Sequence, residues 1–517
     1  MKPIRFLLVG VVLLTLVPTA ALPQARTSLA SLRVGYNTRK VMANPQGDLK
    51  TQIDALDKQI AEATRLGKSG ELRRLFAKGV TLLSGGTWTD EADFAASLVI
   101  RSDRVVVDSA KPYTVRLEQI YSPTIELQRP LTARVWLRQR PAPAPPGAAV
   151  QLSEVVQDLG TFDGVGRDLR DTPFPLDLDL REVSDGAYQL SVDVLDEARP
   201  LGTSTLAVVL IKDLDEVVTR LEHYAQQVPE AVRADVLYPV DRMRNVNRGR
   251  LELRTFDPLH DLAAAESVAA AVQAGRDPFA ERTGDLKRHY LLESAAEIMP
   301  YRLYVPTTYT KARAYPLIIA LHGLGGTEDT MFDGYGKRLP VLAEQRGYIV
   351  AAPLGYRVDG AYGWGLANPP EDPALRRRQG YSEQDVMQVL QRVKQQYSID
   401  EGRIYLMGHS MGAIGTWKIA AKYPDIWAAL GPIAGRGTPE TVEKMRHIPQ
   451  VVVHGDADPT VNVEGSRTMV AEMQRLGVDV KYIEVPGGHH SDVVAPNFPA
   501  IFDFFDAHRK TAARSSQ

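Results

Sequence analysis

From about Gly284 onward the chain alternates short, wholly apolar runs with stretches of helical spacing, and this alternation leaves few ways to fold. Leu317 to Leu321, Ile349 to Ala352, Ile404 to Met407 and Val451 to Val453 offer water no polar face, so each reads as a strand buried on both sides. Between two of them Val386, Val389, Leu390 and Val393 recur at the period of a helix. Strands and helices in this order build a mostly parallel sheet covered by helices on both faces. Ligands of such sheets sit beyond the carboxyl ends of the strands, so the loops there are where chemistry is to be sought.

One of those loops stands out. Ile404 to Met407 runs directly into Gly408-His409-Ser410-Met411-Gly412, and a helical pattern with Ile414, Trp417 and Ala421 follows. In a sharp strand-to-helix turn a serine is exposed as a nucleophile. Glycines two residues to either side are needed because a side chain there would strike the neighbouring strand or helix. The pentapeptide is weak by itself; its place between a buried strand and a helix makes Ser410 the expected nucleophile. After Leu317 to Leu321 comes His322-Gly323-Leu324-Gly325-Gly326, where N–H donors for a developing oxyanion belong. The amides of Leu324 and Met411 are the expected donors, and His322 is expected to brace the loop.

An acid and a base should follow the serine in chain order. Val451 to Val453 leads into His454-Gly455-Asp456-Ala457-Asp458-Pro459, and Val480 to Val485 leads into Pro486-Gly487-Gly488-His489-His490. Asp458 lies deeper in its loop and opens an Asp-Pro turn, so it is the expected acid, with Asp456 as the alternate. Adjacent histidines point in different directions, so only one of His489 and His490 can be the base. Trp364 is expected to line the substrate pocket and Trp417 to pack in the core. Asp456, Asp458, His489 and His490 are residue types that can bind metal, but no spaced H-E-x-x-H pattern accompanies them, and neither metal nor cofactor is expected.

The first half is organised differently. Lys2 and Arg5 precede the apolar run Phe6 to Val17, followed by Thr19, Ala20 and Ala21; residues 1–25 read as a secretory signal peptide. Residues 26–90 read as a helical hairpin through Ile53, Leu56, Ile60 and Ala63. Residues 91–212 change to period two at Tyr113, Val115, Leu117, at Leu131, Ala133, Val135, Leu137, and again from Tyr188 and Leu206. These suggest an immunoglobulin-like β-sandwich, with the proline-rich Arg140 to Gly147 as a loop on it. Residues 213–283 read as a helical connector, and 284–510 as the catalytic domain. A formal net charge of -2 without any basic block excludes a nucleic-acid partner. No integral membrane span is expected in the mature chain, and the lack of cysteine excludes disulfides and a thiolate nucleophile.

Taken together, the motifs resemble secreted esterases of the α/β-hydrolase superfamily, related to feruloyl esterases, polyhydroxybutyrate depolymerases and the so-called predicted peptidases. The resemblance rests on Tyr301-Arg302-Leu303-Tyr304-Val305-Pro306, on Asp385, Tyr397, Asp400 and Arg403, on the elbow, and on Gly415-Thr416-Trp417 and Tyr423-Pro424-Asp425. It covers roughly residues 286–510. It implies a multidomain chain ending in an α/β-hydrolase, the acid at Asp458, and the base a few residues beyond Pro-Gly, which favours His490. Ala413 stands where a third glycine is common, and the disulfides of many secreted members are missing. The expected function is therefore an exported carboxylesterase acting through Ser410, His490 and Asp458 on a small-molecule or polysaccharide-linked ester. Its alternatives are a serine peptidase of related fold and a non-catalytic envelope or carbohydrate-binding protein with a relic hydrolase domain.

Overall fold

The computed structural model describes residues 29–141, 153–279 and 283–510. The expected signal peptide and most of the proline-rich loop lie outside the described residues. The chain divides into two compact units, one of residues 1–103 and 110–210, the other of residues 104–109 and 211–517.

In the first unit, the segment read as a hairpin carries three helices, Leu29–Ala43, Gly47–Arg65 and Ser69–Leu83, and a short fourth, Asp90–Ser97. Gly67, at φ 65°, breaks the second from the third, which is the interruption its sequence announces. Tyr36, Ile53, Leu56, Ile60 and Phe76 close their core. Two antiparallel sheets follow. One orders the strands Leu98–Arg101, Tyr113–Gln119 and Phe174–Leu178; in the other, Arg199–Ile211, Gly186–Asp196, Leu131–Gln139 and Val155–Val165 are neighbours in that order. Val115 and Leu117, Val135 and Leu137, and Leu190, Val192 and Val194 are all buried, as their spacing requires. Alternation fails in the last strand, where Val208, Val209 and Leu210 are buried in succession and Leu206 is only half-buried.

The second unit is built on an eight-stranded sheet. Its strands are β1 (Gly284–Leu292), β2 (Glu297–Val305), β3 (Tyr315–Leu321), β4 (Ile349–Pro353), β5 (Ile399–His409), β6 (Ala429–Ile433), β7 (Gln450–Gly455) and β8 (Val480–Val485). Their spatial order is β8-β7-β6-β5-β3-β4-β2-β1. Pairing is antiparallel between β1, β2 and β4 and parallel from β4 through β8. On β3, Leu317, Ile319 and Leu321 enter one core, and Ile318 and Ala320 enter the other. Both faces of the strand are thus dry, as its unbroken apolar run demands. The helices before the sheet are α1 (Leu214–Gln227), α2 (Glu230–Asn247) and α3 (Pro258–Gln273); those within it are α4 (Arg338–Arg346), α5 (Pro373–Gln396), α6 (Met411–Lys422), α7 (Glu464–Arg475) and α8 (Val494–Ala507). Residues of α5, α6 and α7 cover one face of the sheet, and those of α4 and α8 the other. Phe498, Ile501, Phe502 and Phe505 of α8 are fully buried, each contributing about 1.5–3 kcal/mol.

The connector helices fold with this sheet. Asp235 of α2 accepts from the backbone N–H of His289 at 3.1 Å, lies 3.0 Å from the His289 ring and pairs with Arg288 at 3.3 Å. Asp241, one turn and a half further on, accepts from the Ile298 N–H at 3.1 Å. Asn247 bonds the backbone of Val105 and Val106, which draws residues 104–109 into the same unit. Asp235 and Arg288 are both almost fully buried, so removing one partner strands a charge in a dry site. Asp235→Ala should therefore cost about 3–5 kcal/mol and lower the urea midpoint of this unit; an unchanged midpoint would show that the pair does not hold α2 to β1.

Candidate active site

Ser410 follows β5 directly and occupies the position before α6, at φ 57° and ψ -115°. Such a conformation costs a non-glycine residue about 1–3 kcal/mol and persists only where the surroundings over-determine it. The surroundings do so by close approach. A Cβ on Gly412 would lie 2.2 Å from the Leu321 carbonyl oxygen, and one on Gly408 would lie 2.4 Å from the oxygen of Gly412. The Ser410 N–H donates to the Ile433 carbonyl at 2.9 Å, which ties the turn to β6.

His490 and Asp458 meet the serine from the next two loops. His490 Nε2 stands 2.8 Å from Ser410 Oγ, and its Nδ1 stands 2.6 Å from Asp458 Oδ2. Asp458 also accepts from the backbone N–H groups of Thr460 at 2.7 Å and Val461 at 3.0 Å. Burial alone would raise the Asp458 carboxyl, but hydrogen bonds from His454, His490 and Val461 outweigh it and hold the group well below the usual carboxylate range. A carboxylate in that state orients an imidazole with Nδ1 protonated and Nε2 free to take the serine proton.

The alternates go elsewhere. Asp456 accepts from the Gly487 N–H at 2.6 Å, tying the acid loop to the base loop. His489 is exposed, and Asp492 takes both its backbone N–H, at 2.8 Å, and its ring, at 3.3 Å. Met411 is the first residue of α6, where helix geometry leaves the N–H without an intrahelical acceptor. The other expected donor loop reaches the elbow: a Cβ on Gly323 would lie 3.3 Å from the Cβ of Ser410. That loop is braced by His322, whose ring nitrogens each lie 2.7 Å from a carbonyl, of Gly323 and of Leu354, and by the Tyr362 hydroxyl, which donates to the His322 carbonyl at 3.1 Å.

The Trp364 ring lies beside Lys422, with the ammonium 5.4 Å from the ring centroid, and beside Gly380. Lys422 closes α6, about 16 Å along the axis from Met411 at 1.5 Å per residue. The reason is a clamp: Lys418 Nζ donates to the carbonyls of Ala361 and Gly363 at 3.2 and 2.8 Å, which lays the loop along the helix. Trp417 is buried, its indole N–H donating to Gln450 at 2.9 Å.

Sequence reasoning missed two histidines. His409, the variable residue before the serine, has Nε2 2.9 Å from the His490 carbonyl and Nδ1 2.8 Å from the Tyr335 hydroxyl. Burial, with His490 adding to it, pushes its ring down to about 4, so it is neutral around pH 7. His454, at the end of β7, is fully buried with Nε2 3.2 Å from Asp458. The available signal was a titratable residue closing an apolar strand.

Residues 293–499 match the family model described as "Putative esterase". The chain is 26% identical over 223 residues to the "Putative esterase NocK" of Nocardia uniformis subsp. tsuyamanensis, covering 43% of this chain and 62% of that protein. It is 31% identical over 132 residues to feruloyl esterase B of Neurospora crassa, covering 26% of this chain and 42% of the relative. The chain thus spans less than two thirds of either relative. Among solved structures, a thermostable esterase aligns over 80% of this chain and 99% of its own at 19% identity and a TM-score of 0.37.

The two histidines are separable by experiment. His490→Ala should slow fluorophosphonate labelling of Ser410 on the order of 10³-fold or more, while His489→Ala labels at close to the wild-type rate. The reverse pattern in a gel-based labelling time course would exchange their roles.

Proposed function

We propose, on the premise that residues 293–499 belong to the esterase family, that this chain is a carboxylesterase working through Ser410, His490 and Asp458. The observation that carries the reading is the unbroken chain of contacts from Ser410 Oγ through His490 to Asp458. His490 Nε2 takes the serine proton as Oγ attacks the ester carbonyl, and Asp458 stabilises the imidazolium that forms. The amides of Met411 and Leu324 receive the oxyanion. Collapse of the tetrahedral intermediate returns the proton to the leaving alcohol. Water, activated by the same imidazole, then releases the acid and restores the serine.

The name of the Neurospora crassa relative supports an ester of an aromatic acid, on a small alcohol or a polysaccharide, as the substrate class. The basic-then-apolar start of residues 1–25 supports export. Among the described residues no helix is long and apolar enough to cross a membrane. The two antiparallel sheets of the first unit fit an immunoglobulin-like sandwich that serves as an accessory module.

Purified protein should hydrolyse p-nitrophenyl acetate, p-nitrophenyl butyrate and methyl ferulate, and Ser410→Ala should lower kcat/KM by about 10⁴-fold or more. Peptide p-nitroanilides belong in the same panel. Turnover of the anilides without the esters would make the chain a peptidase, and turnover of neither would remove the hydrolase reading.

A further inference from the structure

Asp458 faces two histidines, and only one of them touches the serine. His454 meets the carboxylate without touching the serine and is fully buried, with Nε2 3.2 Å from Asp458 Oδ2 and 3.0 Å from the Val461 carbonyl. Both neighbours of Nε2 are acceptors, so Nε2 carries the hydrogen. Nδ1 stands 2.7 Å from the Ser466 hydroxyl on α7, and that oxygen stands 3.1 Å from the Gly435 carbonyl, in the loop after β6. The relay therefore fixes the ring from both ends. A buried histidine that merely satisfied its own nitrogens would need only the Val461 carbonyl and Ser466. The carboxylate oxygen it meets is the same Oδ2 that meets His490.

We propose that His454 is a positioning residue for the hydrolytic reaction: its Nε2–H shares the charge of Asp458 Oδ2 and sets how much of that charge acts on His490. The inference rests on the esterase reading for its kinetic consequence but not for its hydrogen bond. The groups around the pair are His409 from β5, Ser410 at the elbow, His490 itself, Ser466 from α7 and, further out on β8, Glu484, which Arg467 of α7 neutralises in part. Without the His454 donor, more of the carboxylate's charge falls on His490 and favours its imidazolium, which cannot take the serine proton. The acid limb of kcat/KM must then move to higher pH.

The test uses the full chain. His454→Leu should lower kcat about ten- to a hundredfold with little change in KM and shift the acid limb upward. His454→Gln, which returns an N–H donor, should restore the limb. In the proton spectrum of ¹⁵N-histidine-labelled protein, His454→Leu should remove one low-field imidazole N–H and move the one belonging to His490. If His454→Leu does not fold, His454→Gln and Ser466→Ala carry the same readouts, the latter with a smaller shift in the same direction. Variants whose acid limb and His490 resonance both stay at their wild-type positions would overturn the proposal. A wild type with no ester turnover would sink the esterase reading alone, because the proton spectrum still decides whether His454 bonds Asp458.

Discussion

The contact on which the rest of the active region depends is that between Gly412 and the end of β3. No side chain fits there, because the first atom of one would overlap the Leu321 carbonyl. That approach brings the start of α6 against the neighbouring strand, so that β5 must turn sharply into the helix and Ser410 is held at positive φ. The glycine loop Gly323 to Gly326 leaves the same end of β3, so one close contact sets both the Ser410 turn and the loop beside it. The strain stored in Ser410 is tolerated because Gly408, Gly412 and the Ile433 carbonyl leave the backbone no other path.

Around that point the polar groups are arranged in layers. Ser410 and His490 face outward; Asp458 lies behind them, and His454 and Ser466 lie behind Asp458. His409 holds the backbone of His490 from a third side. His490 is partly exposed while the side chains of Asp458 and His454 are fully buried, where hydrogen bonds strengthen and any unpaired group becomes more costly. This explains why the inner groups are small in number and fully partnered.

Much of this was legible in the sequence, because the eight-stranded sheet is written in runs such as Leu317 to Leu321 that read as strands buried on both faces. Gly-x-Ser-x-Gly between strand and helix, then an acidic loop and a histidine pair in order, followed from the same pattern, whereas the preference for His490 over His489 came from the family resemblance. What escaped was of two kinds. The strands Val155–Val165 and Phe174–Leu178 have too few apolar residues in alternation to announce themselves, and their partners across the sheet define them. The setting of the loop that carries Trp364 escaped because Lys418 holds it, an ammonium that grips two loop carbonyls. His454 was passed over because burial, which gives it meaning, is a tertiary fact.

The thread of residues 104–109 through the second unit bears on how such a chain changes over generations. Asn247 holds this short stretch by its backbone, while the strands on either side belong to the first unit. The two units are therefore interleaved along the gene, and no single crossover separates one cleanly from the other. Recombination that swaps the front of this protein for another module would leave the Asn247 amide without the backbone it now holds. A replacement for the front unit must therefore supply a backbone stretch for Asn247 in place of residues 104–109.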